Sequence, residues 1–410
     1  MTLARARLAR LDALAVTAAI WFFGKFLRYA FPPLFETLGA SYGVSRTVLG
    51  TAFTGFMLMY ALLQFPSGLL ADRVGPVAVV AAGGLVTTVG ALALVVDAPF
   101  GVLVGAMVLM GAGTGVYKTA SVELLSRVYH TRTGRALGVF DTTGSLAGAA
   151  APAAVVVAAG LPPVAGAPWR TLFLVGGLAG LALVGALLVR VPRRLADDRT
   201  IAAQGAASDG GAQTSAGSVR AYLGLFGRLR FAAFVAVTVL FGFAYNGVVA
   251  FLPLYLVTEA GLPSASANLL FGALFAVSLV QLGTGEASDR VGRLPVLVAT
   301  LGVATAGLAA TLALSSGGGV LELGAAVVAL GLGAHGFRPV RGAYLMQILP
   351  DGVAGGGLGA VRTLLMGAGA VGPAVVGYLS ETVGFRAAFG LLAVALAGAT
   401  GLTALLWTLE

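Results

Sequence analysis

Cysteine is absent from the 410-residue chain, which removes disulfides, thiolate nucleophiles and cysteine metal ligands together. Histidine is almost as scarce. Its two copies, His130 and His335, lie far apart in the sequence, so no metal centre is expected. Charge is thin as well: 10% of residues are charged, against roughly 25% in an ordinary soluble domain. The net charge of +9 sits on basic residues scattered between apolar runs. They form no basic patch interleaved with aromatics, so a nucleic-acid partner is not expected. Paired carboxylates and a nucleophile triad are also missing, so neither enzyme activity nor a cofactor is expected. What fills the chain is apolar: 58% hydrophobic residues, with 61 glycines, about twice the average glycine usage. No three-residue period appears, so collagen is excluded. Glycines inside apolar runs suit membrane helices that approach closely.

A membrane-spanning helix needs about 20 mostly apolar residues. Breaking the sequence at polar, proline and glycine clusters gives segments near 11–34, 45–70, 77–96, 100–125, 135–160 and 168–190. A second set follows at 231–258, 264–286, 294–315, 319–347, 355–380 and 384–408. The basic N-terminus and its long apolar run lack a clean A-x-A cleavage site, so they are read as a retained first span. The expectation is an all-α membrane protein of twelve transmembrane helices. Residues 1–190 form one six-helix bundle and 230–410 the other, joined by a cytoplasmic linker at 191–229. That linker is rich in Gly, Ser, Ala and charge, as a flexible connector is. With the N-terminus inside, sixteen of the 25 basic residues fall in inner segments and three in outer loops. Basic loops stay cytoplasmic, so both termini and the linker are expected on the cytoplasmic side of the plasma membrane.

The chain repeats itself. "GLLADRVG" at 68–75 matches "GEASDRVG" at 285–292, and "GAGTGVYKTAS" at 111–121 lies against "GLGAHGFRPVR" at 331–341. Lys118 thereby falls on Arg338, Tyr117 on Phe337, Asp141 on Arg362 and Pro152 on Pro373. "AFPPLF" at 30–35 falls on "AFLPLY" at 250–255. One six-helix unit is used twice, an arrangement that puts a site near mid-membrane between the repeats.

Twelve spans in two halves, with G-x-x-[AS]-D-R-x-G after the second span of each, resemble the major facilitator superfamily over nearly the whole chain. The resemblance implies two pseudo-symmetric bundles around a central cavity that moves solutes by alternating access. It implies that Gly68, Asp72, Arg73 and Gly75, with Gly285, Asp289, Arg290 and Gly292, latch the cytoplasmic side. Glu123 is a partner for Arg73 or Arg127. The first copy continues "PVAV" where the second keeps Arg293, so the first latch is expected to be weaker. The resemblance also implies that spans one, four, seven and ten line the cavity.

Six basic residues lie within spans: Lys25, Arg28, Lys118, Arg338, Arg341 and Arg362. Each arginine costs about 2.5–3.5 kcal/mol at the bilayer centre and cannot shed its proton. Asp141 is the one carboxylate clearly at that depth. Lys118 and Arg338 sit about 10–14 Å from the cytoplasmic ends of their helices; Asp141 and Arg362 are near the same layer. Lys25 aligns with Tyr245, so the second half offers Tyr245 and Asn246 in place of a cation. The excess of positive charge predicts an anionic solute bound by Lys25, Arg28, Tyr117, Lys118, Tyr245, Asn246, Arg338, Arg341 and Arg362. The bland alternative has these cations snorkelling to headgroups or pairing internally, Arg362 with Asp141. Asp141 and His335 are the candidates for proton coupling.

Two glycine patterns mislead. "GLGAHG" and "GAGAVG" fit G-x-G-x-x-G, but they lie in membrane helices and follow no strand. "GSLAGAAAP" at 144–152 is only loosely similar to the motif of proton-coupled drug exporters, and it lacks an adjacent Gly-Pro pair. The function read from the sequence is therefore a monomeric secondary transporter of a small organic or inorganic anion in the lipid bilayer, with protons as the possible coupling ion. The alternatives are a multidrug/proton antiporter and a transporter-like solute sensor; a sensor should carry an output domain, and the sequence shows only the linker.

Overall fold

The computed structural model describes residues 3–129, 133–163, 166–191, 226–348 and 366–409, with side chains from residue 12 onward. The chain is helical because lipid offers no partner for free backbone N–H and C=O groups, and a helix satisfies them internally. In order come α1 (Leu3–Tyr42), α2 (Arg46–Leu62), α3 (Gln64–Val74), α4 (Pro76–Ala93), α5 (Phe100–Val128), α6 (Thr133–Ala159) and α7 (Arg170–Arg190). Then follow α8 (Leu229–Thr258), α9 (Ser264–Ala276), α10 (Val280–Val291), α11 (Arg293–Leu314), α12 (Val320–Ile348), α13 (Gly372–Thr382) and α14 (Phe385–Thr408). Among the described residues, 10 helices are long and apolar enough to cross a membrane, or 11 if the bent pair α2–α3 is one span. This is consistent with twelve spans, because much of the expected segment 355–380, Arg362 included, lies outside the described residues. The linker's central part also lies outside them.

Two boundaries differ from the sequence reading. The first span does not stop near residue 34: α1 continues through Pro32 and Pro33 to Tyr42. The second span is not one rod, since α2 and α3 meet at a 40° bend. The second half breaks at the matching place, where a 3-10 turn (Val277–Leu279) separates α9 from α10. Equivalent glutamines patch both breaks. Gln64 Nε2 donates to the Tyr60 carbonyl at 3.3 Å and Gln281 Nε2 to the Ser278 carbonyl at 2.9 Å. Each supplies a donor where the helical ladder is interrupted.

By their contacts the residues form two compact units. One consists of Met1–Arg28, Met59–Ala147 and Gly160–Ser215; the other of Tyr29–Leu58, Gly148–Ala159 and Ala216–Glu410. The cuts in α1 and α6 have a covalent cause. Proline carries no N–H, so Pro32, Pro33 and Pro152 cannot donate to the carbonyls four residues earlier, those of Arg28, Tyr29 and Gly148. The unit boundaries fall at those carbonyls.

Within the first unit α4 packs closely on α5 and α7; within the second, α11 packs on α12 and α14, and α8 on α14. Glycine permits the approach. A methyl group added at Gly90 would come within 2.9 Å of the Ala106 carbonyl oxygen, and one at Gly307 within 2.8 Å of that of Ala326. Gly113 and Gly333 make a second such pair against α4 and α11.

The turns are duplicated as well. The positive-φ glycines among the described residues are Gly43 (φ 62°), Gly75 (89°), Gly166 (91°), Gly261 (63°), Gly292 (96°) and Gly384 (111°). They pair as Gly43 with Gly261, Gly75 with Gly292 and Gly166 with Gly384, at the separations the repeat requires. Gly75 and Gly292 are the last residues of the two G-x-x-[AS]-D-R-x-G turns, held at ψ 145° and 157°. That backbone region is open essentially to glycine alone.

An ion pair ties the loop between α4 and α5 to the start of α7. Arg170 is buried, and its guanidinium donates to Asp97 Oδ1 at 2.5 Å. It stands in the first turn of α7, where a cation opposes the helix dipole and Asp97 offsets it. Asp97→Asn should lower stability by about 1–2 kcal/mol, because the carboxylate end is largely exposed and screened. A drop of a few degrees in the melting temperature of the detergent-purified protein checks this; an unchanged value refutes it.

Candidate functional site

In the first unit the chemistry gathers around Trp21. On α1, Trp21 and Lys25 are one turn apart and share a face. The Lys25 ammonium stands 5.0 Å from the Trp21 ring centroid. On the other side Trp21 stacks with Phe140 of α6 at 5.4 Å, their planes 16° apart. Lys118 of α5 reaches both rings, its Nζ lying 4.2 Å from the Trp21 centroid and 4.4 Å from that of Phe140. The same Nζ donates to Asp141 Oδ1 at 2.6 Å. The Lys118 side chain is 7% exposed and that of Asp141 67%, so the carboxylate is the accessible end of the pair. Gly144, one turn beyond Phe140, leaves room for the indole, since a side chain there would strike Trp21 Nε1. Two aromatic faces and one carboxylate offset the cost of desolvating the ammonium.

The pairings differ from the sequence reading. Lys118 is engaged by Asp141. Asp141 has Lys118 as its partner, and Arg362 lies outside the described residues. Tyr117 is fully buried, packed against Gly24 and edge-on to Trp21. Arg28 does not snorkel. It is buried, with its guanidinium 5.6 Å from the Tyr60 ring centroid.

The second unit repeats the theme with different residues. Phe241 and Tyr245 stack at 5.7 Å on α8, and the Arg338 guanidinium of α12 lies 4.5 Å from the Tyr245 centroid. Arg338 Nη1 stands 3.5 Å from His335 Nδ1. A guanidinium can only donate, so this long contact makes Nδ1 the acceptor. His335 is fully buried, edge-on to Tyr245 and Phe275. Arg341 lies 5.9 Å from the Phe337 centroid. Asn246 Nδ2 donates to the Gly369 carbonyl at 3.1 Å, which ties two helix segments together. In each unit, then, the cation of the fourth span of the repeat lies on an aromatic ring from the first.

The sequence reading missed Trp21, Phe140 and Tyr60. A signal existed for the first: Trp21 precedes Lys25 by one helical turn and so shares its face.

Of the turn residues, Asp72, Arg73, Asp289 and Arg290 are exposed, while Gly68, Gly75 and Gly285 are half-buried and Gly292 exposed. Glu123 accepts from Arg127, one turn along α5, and Glu286 from Arg290. In the second copy Arg293 Nη1 donates to the Ala343 carbonyl at 3.1 Å and to Gln347 Oε1 at 2.7 Å, stitching the start of α11 to the end of α12. Pro76 holds the matching position in the first copy and has no group to make that tie.

Comparison with known proteins fits this architecture. The family model of the Major Facilitator Superfamily matches residues 16–321. The chain is 30% identical over 143 residues to an uncharacterized MFS-type transporter of Mycobacterium tuberculosis (strain ATCC 25618 / H37Rv), an alignment covering 34% of this chain and 24% of that protein. The chain thus spans about a quarter of that relative's length. Among solved structures it is similar in fold to a bacterial homologue of the human lysosomal transporter Spinster in an inward-facing, unoccupied conformation. That match has a TM-score of 0.76 at 14% identity and covers 97% of each chain. A D-xylose-proton symporter matches with a TM-score of 0.74 at 14% identity over 97% of each. A peptide transporter POT in complex with alafosfalin matches at 0.70 and 16% identity, over 96% of this chain and 93% of that one. A family match over most of the sequence and a shared fold over nearly all of it agree with the doubled turn: this all-helical membrane chain belongs to the Major Facilitator Superfamily.

Proposed function

We propose that the protein is a secondary transporter that carries a small organic or inorganic anion by alternating access, with a proton as the coupled ion. The observation that carries the reading is the Lys118–Asp141 pair. A buried ammonium donates to an accessible carboxylate at 2.6 Å. A solute carboxylate, phosphate or sulfonate is chemically equivalent to Asp141 and can take its place on Lys118. Asp141, displaced from the ammonium and 67% exposed, is then the carboxylate at which a proton can enter. Substrate binding and proton uptake become one exchange. Lys25, on the same indole, supplies further positive charge in that unit; Arg338 and Arg341 are the cations of the other unit. A carrier of lipophilic cations would need Asp141 for its cargo, and Lys118 already holds it.

The reading includes two six-helix halves at 1–190 and 230–410 and a monomer in the plasma membrane. Sixteen basic residues in inner segments against three in outer loops support termini on the cytoplasmic side. The D-xylose-proton symporter named above gives a precedent, by fold alone, for proton coupling on this scaffold.

The test uses purified protein in proteoliposomes and a panel of labelled carboxylates, phosphates and sulfonates. At least one should accumulate inside when a proton gradient is imposed. Asp141→Asn should keep exchange of labelled for unlabelled anion and lose gradient-driven accumulation by about 10-fold or more, the range for removing a positioned proton carrier. Full accumulation by Asp141→Asn would remove that residue from the mechanism. Uptake of neutral or cationic solutes alone would sink the anion reading.

A further inference from the structure

The first turn of α2 is held by a residue more than three hundred positions away in the sequence. Glu381, at the end of α13 and one residue beyond the expected span 355–380, accepts hydrogen bonds from the Arg46 backbone N–H and the Thr47 hydroxyl. Ser45 also bonds to it. The carboxylate therefore does for α2 what an N-cap side chain ordinarily does locally, and places a negative charge at the positive end of the helix dipole. Around it the backbones close up. A methyl group at Gly377 would come within 2.6 Å of the Arg46 carbonyl oxygen, and one at Gly50 would strike the carbonyl of Pro373. One turn further along α2, Thr54 Oγ1 accepts the Ala374 N–H at 3.0 Å. The Arg46 guanidinium lies 4.5 Å from the Phe385 ring.

Contacts at residues 46–47, 50 and 54 follow one face of α2; 381, 377 and 373–374 follow one face of α13. The two helices thus run antiparallel along a seam of small residues and backbone atoms, a surface that separates and re-forms without repacking large side chains. The directional hold comes from Glu381 at one end of the seam and the Thr54–Ala374 bond further along. Glu381 is exposed, and the little burial it has raises the pKa of its carboxyl. The hydrogen bonds from Thr47, Ser45 and the Thr47 and Arg46 backbone outweigh that, so the group lies below its ordinary value and stays charged.

We propose that Glu381 is the latch of an α2–α13 clasp that must release in each transport cycle, and that its carboxylate sets how long this end of the protein stays shut. The proposal rests on the alternating-access reading above but not on the identity of the solute. The natural absence of cysteine makes the test direct. A single cysteine at Leu49, which is 2% exposed and adjoins the clasp on α2, reports opening through its rate of reaction with a maleimide in detergent-purified protein. A second single-cysteine variant at Leu124, fully buried in the other unit, reports general loosening.

In the Glu381→Ala background the Leu49→Cys reporter should react about 10- to 100-fold faster, the size expected for losing charge-assisted hydrogen bonds. The Leu124→Cys reporter should not change. Thr47→Val, which keeps the shape and removes one partner, should give a smaller rise and serves if Glu381→Ala fails to fold. An unchanged rate at Leu49→Cys overturns the latch. Equal acceleration at both reporters overturns it too, because Glu381 would then be a support for the fold as a whole. No solute enters either measurement, so an incorrect anion assignment leaves the result intact.

Discussion

Replacing Lys118 by glutamine should lower anion uptake by about 100-fold or more while leaving a folded protein. Removing one partner of a desolvated, hydrogen-bonded charge pair typically costs about 2–5 kcal/mol, and each 1.4 kcal/mol is a factor of ten. The side chain is of similar length, so the Trp21–Phe140 slot stays filled. What disappears is the charge that any anionic solute would need and that Asp141 now neutralises at 2.6 Å. Lys118→Arg should recover only part of the activity, because the planar guanidinium does not replace a compact ammonium between two rings. The double variant Lys118→Gln/Asp141→Asn should melt close to the single one, since the carboxylate it also removes is 67% exposed and screened. It should not restore uptake. Initial rates in proteoliposomes, with melting temperatures beside them, distinguish these outcomes. Uptake unchanged in Lys118→Gln for every anion tested would remove the central residue of the proposed mechanism.

The second large effect is structural. Gly113→Val and, separately, Gly333→Val should each cost about 3 kcal/mol or more and sharply reduce the yield of monodisperse protein. In a well-packed site, overpacking costs roughly 1–3 kcal/mol and occasionally more. Here the added atoms meet backbone, which cannot turn aside. A Cβ at Gly113 would come within 2.6 Å of the Thr87 nitrogen, and one at Gly333 within 2.8 Å of the Ala304 Cα. By contrast Gly105→Ala, at a site with open space around it, should be near neutral, or slightly stabilising through its helix propensity. Size-exclusion profiles and melting curves of the three variants check the ranking. Equal behaviour of Gly113→Val and Gly105→Ala would show that the α4–α5 approach is not tight.

The sequence made the fold legible through quantities that run along a single helix. Apolar length gave the spans, and the offset between Asp72 and Asp289 gave the repeat. It failed where the answer depends on how helices are rotated against one another. Depth along α5 placed Lys118 and Asp141 in one layer correctly, but depth does not say which cation faces Asp141. Arg362 was offered as an internal partner for Asp141, and α5 turns Lys118 toward α6. Tyr117 was named among the binding residues; adjacent residues on a helix project about 100° apart, and this one faces α1. Pro32 and Pro33 were read as an end because proline stops helices in water. In lipid any other conformation would strand more backbone groups, and α1 carries on. The Glu381 clasp had no local signal, because its partners lie more than three hundred residues away.

The matched left-handed glycines bear on how the chain's two halves came to differ. Positive φ disfavours L side chains at Gly43, Gly75 and Gly166 and at their counterparts, so drift cannot rewrite these joints without strain. The residues lining the helices carry no such restriction: Lys25 faces Tyr245 across the alignment, and Lys118 faces Arg338. A duplicated ancestor could therefore keep its hinges of connection fixed while exchanging its chemistry one side chain at a time. On this scaffold, altered cargo preference should arise from substitutions on the helices, with the six turns left as they are.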